Sequence, residues 1–313
     1  MKVIKFLLII LFLILAIYQF DIKVEQIFNF FLDYLNNNFN FYLFFSVLFF
    51  ILFSYLIISL RSFYIIRTFK KKYFFLTSLK YNLTGAIFSN FLFSYVGEFY
   101  KVYNSAGSKL PKTDYFIIII YEKTLSLIIS LFFPLLISIF FFKQNLLIII
   151  IFIFFIFFIF FIFKNNLVNL MLNLPIINLY IFRVKKFLKL LLHEKKRIFF
   201  FIFLTILIQL NSSIIYYLIL NEFIEVNFLK FLIIVPILSL ILSLIAVPFG
   251  GAGIREFFMP FLFSFFFISP EISLKAAILV TFYHNIFYLV ICLLFLFFKL
   301  VAGLGFEPRT FRL

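Results

Sequence analysis

Unbroken apolar runs about as long as a lipid bilayer is thick govern what this chain can become. From Leu146 to Phe163 every residue is Leu, Ile or Phe, and the apolar runs reach the ~20 residues that a bilayer-spanning helix needs. In hydrocarbon each unpaired backbone amide costs several kcal/mol, so only helices and closed barrels cross it. Barrel strands alternate polar and apolar residues, whereas these blocks are solid. With 66% hydrophobic residues and a mean hydropathy of +1.21, the expected fold is all-α, a polytopic helical membrane protein.

Composition removes other classes. The single cysteine, Cys292, lies inside an apolar run, so no disulfide scaffold is available. A net charge of +16 invites a nucleic-acid reading. The basic residues sit in membrane-flanking segments, however, where orientation explains them, and no nucleic-acid partner is expected. His193, His284 and Cys292 have no ligand spacing, and Gly250–Gly253 lacks the Lys-Ser/Thr of a nucleotide loop. No metal or cofactor is therefore expected. The 59 phenylalanines accompany abundant Ile, Lys, Asn and Tyr, as when AT-rich codons fill apolar positions, and are not read as a binding surface.

Charge gives a topology. Lys2 and Lys5 precede an apolar helix near 3–20, read as a retained anchor, and the loop after it is net acidic, with Asp21, Glu25 and Asp33 against Lys23. A span near 41–60 meets a basic loop of Arg61, Arg67, Lys70, Lys71 and Lys72, which the positive-inside rule places in the cytoplasm with the N-terminus. Spans near 115–142 and 145–163 lead to the most basic stretch, 164–197. Its residues 176–192 read either as an interfacial helix attracted to anionic lipid or as a connector that only fixes orientation. That count puts both flanks of 73–96 on one side. The segment holds Lys80, Asn82, Thr84, Gly85, Ser89, Asn90 and Ser94, and reads as a re-entrant hairpin or interfacial segment. Beyond it come a span near 198–220, an outer loop with Glu222 and Glu225, an inward run at 229–249 and a short return at 254–268. Residues 269–275 then lie outside, and 276–298 cross back. Six to eight crossings, one or two re-entrant hairpins and two cytoplasmic termini are expected. Residues 1–299 form one transmembrane domain: a first half of about 1–163, the connector 164–197 and a second half of about 198–299.

Function is sought where charge and glycine interrupt the apolar runs. Pro248 through Glu256 places a proline, three glycines and the pair Arg255-Glu256 between runs of Ile, Leu and Phe. Charge at such depth is costly and marks sites or pathways. Gly97-Glu98-Phe99-Tyr100-Lys101 and Gly253-Ile254-Arg255-Glu256-Phe257-Phe258 share glycine, glutamate and two aromatics beside a basic residue. This is the outline of an inverted repeat, whose broken helices meet at a substrate site. His284-Asn285, within the last span, reads as a hydrogen-bonding partner for a neighbouring helix. Plain alternatives stand beside the rest: Glu98-Lys101 as an interface ion pair, Glu122-Lys123 as the wet end of a span.

From about Arg61 to about Phe298 the chain resembles the lysylphosphatidylglycerol synthase transmembrane region, or flippase-like, family. The resemblance rests on Gly97-Glu98-Phe99-Tyr100-Lys101, on Tyr121-Glu122-Lys123 opening a long helix, and on Pro248 through Glu256. It implies movement of a phospholipid or lipid-linked sugar across the cytoplasmic membrane. It also implies a substrate site formed by Gly97, Glu98, Lys101, Glu122, Lys123, Gly250, Gly251, Gly253, Arg255 and Glu256. Arg255 and a lysine would hold a lipid phosphate, and helix-start amides near Gly250–Gly253 would add donors. Glu98, Glu122 and Glu256 would pair with these cations when no lipid is bound. Lys101 and Lys123 keep charge but lack the fork with which arginine grips phosphate. Fifteen residues follow Phe298, no room for the soluble aminoacyl-transferase domain of the larger synthases, and no enzymatic activity is expected. The alternative is a non-catalytic membrane partner of a glycosyltransferase or lipid-modifying enzyme. The tail from Gly303 to Leu313 resembles a reading frame run on into a tRNA gene, and it is given no function.

Overall fold

The computed structural model describes residues 24–36, 39–69, 73–91, 96–104, 112–141, 195–244 and 251–303. Those residues form nine helices and no strand: α1 (Val24–Asn36), α2 (Phe41–Phe69), α3 (Phe75–Phe91), α4 (Val96–Asn104), α5 (Lys112–Phe141), α6 (Lys195–Asn221), α7 (Phe228–Leu244), α8 (Ile254–Ser264) and α9 (Pro270–Gly303). The helical expectation holds. Among the described residues four helical segments are long and apolar enough to cross a membrane: Phe41–Arg67, Asp114–Ser138, Phe199–Asn221 and Pro270–Leu294. The apolar helix Phe228–Ser243 is shorter, and α3 and α4 are not among the four.

α6 stands at the centre, packed against α2, α5, α7 and α9. Val47 and Ile51 of α2, Ile215 and Ile219 of α6, Phe231 and Leu238 of α7, Phe263 of α8 and Val280 of α9 close one apolar core. A second core gathers Ile65, Ile66, Tyr73, Ile118 and Phe201. Phe45, Phe49, Phe132, Phe203 and Leu293 point outward and are exposed, the surface a bilayer would cover. Lipid tails give helices no hydrophobic reason to associate, so small and polar contacts must hold them together. Asn211 of α6 donates to the Phe50 carbonyl (2.7 Å) and to Ser54 Oγ (2.5 Å) of α2. Gln209 donates to Ser130 Oγ of α5 at 2.6 Å.

Three expectations change. The acidic segment at 21–40 is not all loop, because α1 occupies most of it. Glu25 lies in its first turn, where a carboxylate suits the helix dipole. Its aromatic side chains pack: Phe30 lies edge-on to Phe223 (5.7 Å between centroids) and Phe31 to Phe282 (5.2 Å), and Tyr34 shares a hydrogen bond with Tyr283. Arg61 is not in a loop either. α2 continues to Phe69, which leaves Arg61 two turns inside the helix and only 7% exposed. Finally, most of 269–275 is the start of α9. Pro270 opens that helix, where its missing N–H costs nothing, and Ser269 Oγ accepts from the Ile272 amide at 3.3 Å. The expected helices near 3–20 and 145–163, the interfacial stretch 176–192, Pro248, Gly250 and the tail after Gly303 lie outside the described residues.

Candidate functional site

The glycine break supplies geometry first. Gly251 and Gly253 have φ of 88° and 84°, a left-handed backbone that glycine alone adopts readily. A Cβ on Gly251 would also stand 2.6 Å from Leu242 Cδ2. The turn launches α8 with Arg255 and Glu256 in its first turn, 5% and 3% exposed. Glu256 folds back to accept the Gly253 amide at 2.6 Å, so this helix-start donor serves the protein's own carboxylate. Its other oxygen accepts from Thr281 Oγ1 at 2.6 Å, and Thr281 Oγ1 accepts from Arg255 Nη1 at 2.9 Å. One hydroxyl of α9 thus links the arginine to the glutamate.

In the first half a different pair of glycines sets the frame. A Cβ on Gly97 would overlap the Gly85 carbonyl and the Ser89 hydroxyl, and one on Gly85 would lie 2.5 Å from Lys101 Cε. Gly97 therefore lets α3 and α4 touch backbone to backbone. That contact presents Glu98 to two ammonium groups, Lys101 Nζ at 3.1 Å and Lys123 Nζ of α5 at 3.0 Å. Burial alone would push the Glu98 carboxyl up, but Lys101 and Lys123 outweigh it and hold it down at about 2.

Glu122 turns inward beside Lys123. It is 9% exposed, accepts from Ser62 Oγ of α2 at 3.2 Å and lies within reach of the charges of Arg61 and Lys101. Arg61 donates from Nη1 to Thr205 Oγ1 of α6 at 3.2 Å. Its guanidinium sits 5.1 Å from the centre of the Phe201 ring, a favourable cation–π placement.

α9 joins the two groups. Thr281, His284, Asn285 and Tyr288 fall at i, i+3, i+4 and i+7, one face of a helix. Thr281 meets Arg255 and Glu256, and Asn285 Oδ1 accepts from Asn90 Nδ2 of α3 at 3.1 Å. Tyr288 and Tyr55 of α2 share a hydrogen bond of 2.6 Å. Arg255 lies near His284 and Tyr288, and Glu98 lies near Tyr55. Asn285 bonds to a neighbouring helix, as its sequence position suggested.

The structure thus gathers Glu98, Lys101, Glu122 and Lys123 into one group and Arg255 and Glu256 into another, with hydroxyls between them. Gly97, Gly251 and Gly253 shape the backbone beneath these side chains. Sequence reasoning missed Arg61, Ser62, Tyr55, Thr205, Thr281 and Tyr288 as members. Only the position of Arg61, directly after an apolar run that a longer helix would include, carried a usable signal.

Long apolar helices around buried charges of both signs define an integral, multi-pass membrane protein. The chain belongs to the family described as the lysylphosphatidylglycerol synthase TM region, whose model matches residues 2–292. No curated protein and no solved structure gave a match.

Proposed function

We propose that the protein translocates a phospholipid or a lipid-linked sugar across the cytoplasmic membrane and carries out no bond-making chemistry of its own. In this reading both termini face the cytoplasm and α3–α4 enter and leave the membrane from one side. The observation that carries it is the Arg255–Thr281–Glu256 linkage, buried among apolar helices. Uncompensated charge at that depth is expensive, and charged residues inside a membrane commonly belong to a substrate path. The arginine reaches a carboxylate through a hydroxyl, an arrangement that a phosphate oxygen replaces without leaving the guanidinium unpaired. Lys101 and Lys123, tied to Glu98, repeat the principle in the first half. The acyl chains stay in lipid while the headgroup moves between these cations. The family name associates its members with a lipid synthase, consistent with a lipid cargo.

The test is headgroup accessibility of fluorescent phospholipids and polyprenyl-phosphate sugars in liposomes holding the purified protein. Wild type is expected to expose headgroups to the outer reagent. Arg255→Ala is expected to abolish this while remaining inserted and helical by circular dichroism. Wild-type movement in Arg255→Ala removes the proposal. No movement of any lipid tested, by folded wild-type protein, turns the assignment to a non-catalytic partner of a glycosyltransferase or lipid-modifying enzyme.

A further inference from the structure

Arg61 and Glu122 are each more than nine-tenths buried, and each holds a polar atom with no hydrogen-bond partner, Arg61 Nε and Glu122 Oε1. Buried polar groups are nearly always satisfied, so an open donor and an open acceptor in one place ask for an explanation. The two side chains feel each other's charge, yet each keeps its direct bond elsewhere, Arg61 to Thr205 and Glu122 to Ser62. With Nη1 committed to Thr205, the edge of the guanidinium that carries Nε remains available. That edge is a fork suited to two oxygens of one oxyanion. Phe201 under the guanidinium and Thr205 beside it fix the fork's orientation.

The surrounding charge narrows the ligand. Arg61, Lys101 and Lys123 gather with Glu98 and Glu122, so basic side chains outnumber acidic ones and the group suits an anion. Glu122 Oε1 would accept a hydrogen bond from a donor carried on the same molecule. Lys123, with its side chain 53% exposed, marks the side from which a ligand reaches the cluster.

Resting on the translocation reading above, we infer that Arg61, Ser62, Glu122 and the paired lysines form a second anion subsite, separate from Arg255. It takes a phosphodiester-type oxyanion whose neighbouring group donates a hydrogen bond to Glu122. Arg61 is its anchoring residue.

The experiment measures binding rather than movement. A short-chain phosphodiester lipid with a fluorophore on one acyl chain is titrated into the full chain in uncharged detergent micelles, with inorganic phosphate as competitor. Wild type is expected to bind saturably. Arg61→Lys, which keeps charge and loses the fork, is expected to weaken binding about tenfold or more. Glu122→Gln keeps an acceptor and removes a negative charge, so it is expected to bind the anion more tightly, a gain that misfolding cannot produce. Displacement by inorganic phosphate would assign the subsite to the free ion, and lack of displacement to a lipid headgroup. Unchanged binding in Arg61→Lys, or equal losses in both variants, overturns the subsite. Lipid movement without Arg61-dependent binding leaves translocation standing and removes this inference, while Arg61-dependent binding without movement does the reverse.

Discussion

Replacing Glu98 with glutamine tests whether the first-half cluster is held by charge. The Glu98 carboxyl lies 3.1 Å from Lys101 Nζ and 3.0 Å from Lys123 Nζ, and burial, which opposes ionisation, loses to these two cations. A carboxyl carried from 4.5 to about 2 corresponds to roughly 3 kcal/mol favouring the charged, folded form. Lys123 is half exposed and water screens its share, so about 1–2 kcal/mol is the expected contribution. Because the folded carboxyl is held below its unfolded value, this stabilisation is complete above about pH 4.5 and is lost as the pH falls towards 2. Thermal unfolding of the purified protein in detergent, wild type against Glu98→Gln, should show a constant gap at pH 5–7 that closes on acidification. Melting points that coincide at pH 6, or a gap that persists at pH 2, would refute the reasoning.

Two further substitutions probe the frame. Gly97→Ala forces a methyl group into the Gly85 carbonyl and Ser89 hydroxyl, so α3 and α4 must part, at about 1–3 kcal/mol. Gly85→Ala meets the Lys101 side chain at 2.5 Å and the Gly97 carbonyl only at 3.1 Å, so it should melt closer to wild type; the opposite order would show that the glycine contact is misassigned. Thr281→Val keeps shape but removes the hydroxyl that joins Arg255 to Glu256. A loss of about 1–3 kcal/mol is expected, with recovery in Thr281→Ser, and equal thermal stability of the valine variant and wild type would contradict the linkage.

What could be read in advance followed from chemistry that is local in the chain. Arg255-Glu256 beside Gly253 stood out because glycine and charge seldom interrupt an apolar run without cause, and the structure buries that pair on a left-handed turn. Glu98 and Lys101 beside Gly97 were legible for the same reason, whereas Glu122 and Lys123 were singled out by the family resemblance. Arg61 was misplaced because counting charges at the end of an apolar run assigns every arginine to a loop, whereas α2 simply continues to Phe69. Gly97 belonged to a recognisable motif, but its contact is with Gly85 on another helix, and local spacing does not reveal that approach. Thr281, Tyr288 and Tyr55 were silent because a hydroxyl in an apolar run has no signature of its own. Their importance comes from the partners that folding brings to them.

The polar face of α9 also limits how the molecule can move. Thr281 receives Arg255 and Glu256 of α8, Asn285 receives Asn90 of α3, and Tyr288 receives Tyr55 of α2. All three attachments ride on one rigid rod within two turns. Sliding α9 by a single turn, about 5.4 Å, or rolling it by a quarter revolution, would strip every one of them together. The two halves are therefore geared through a common shaft: a slide or roll of α9 loosens its bonds to both at once.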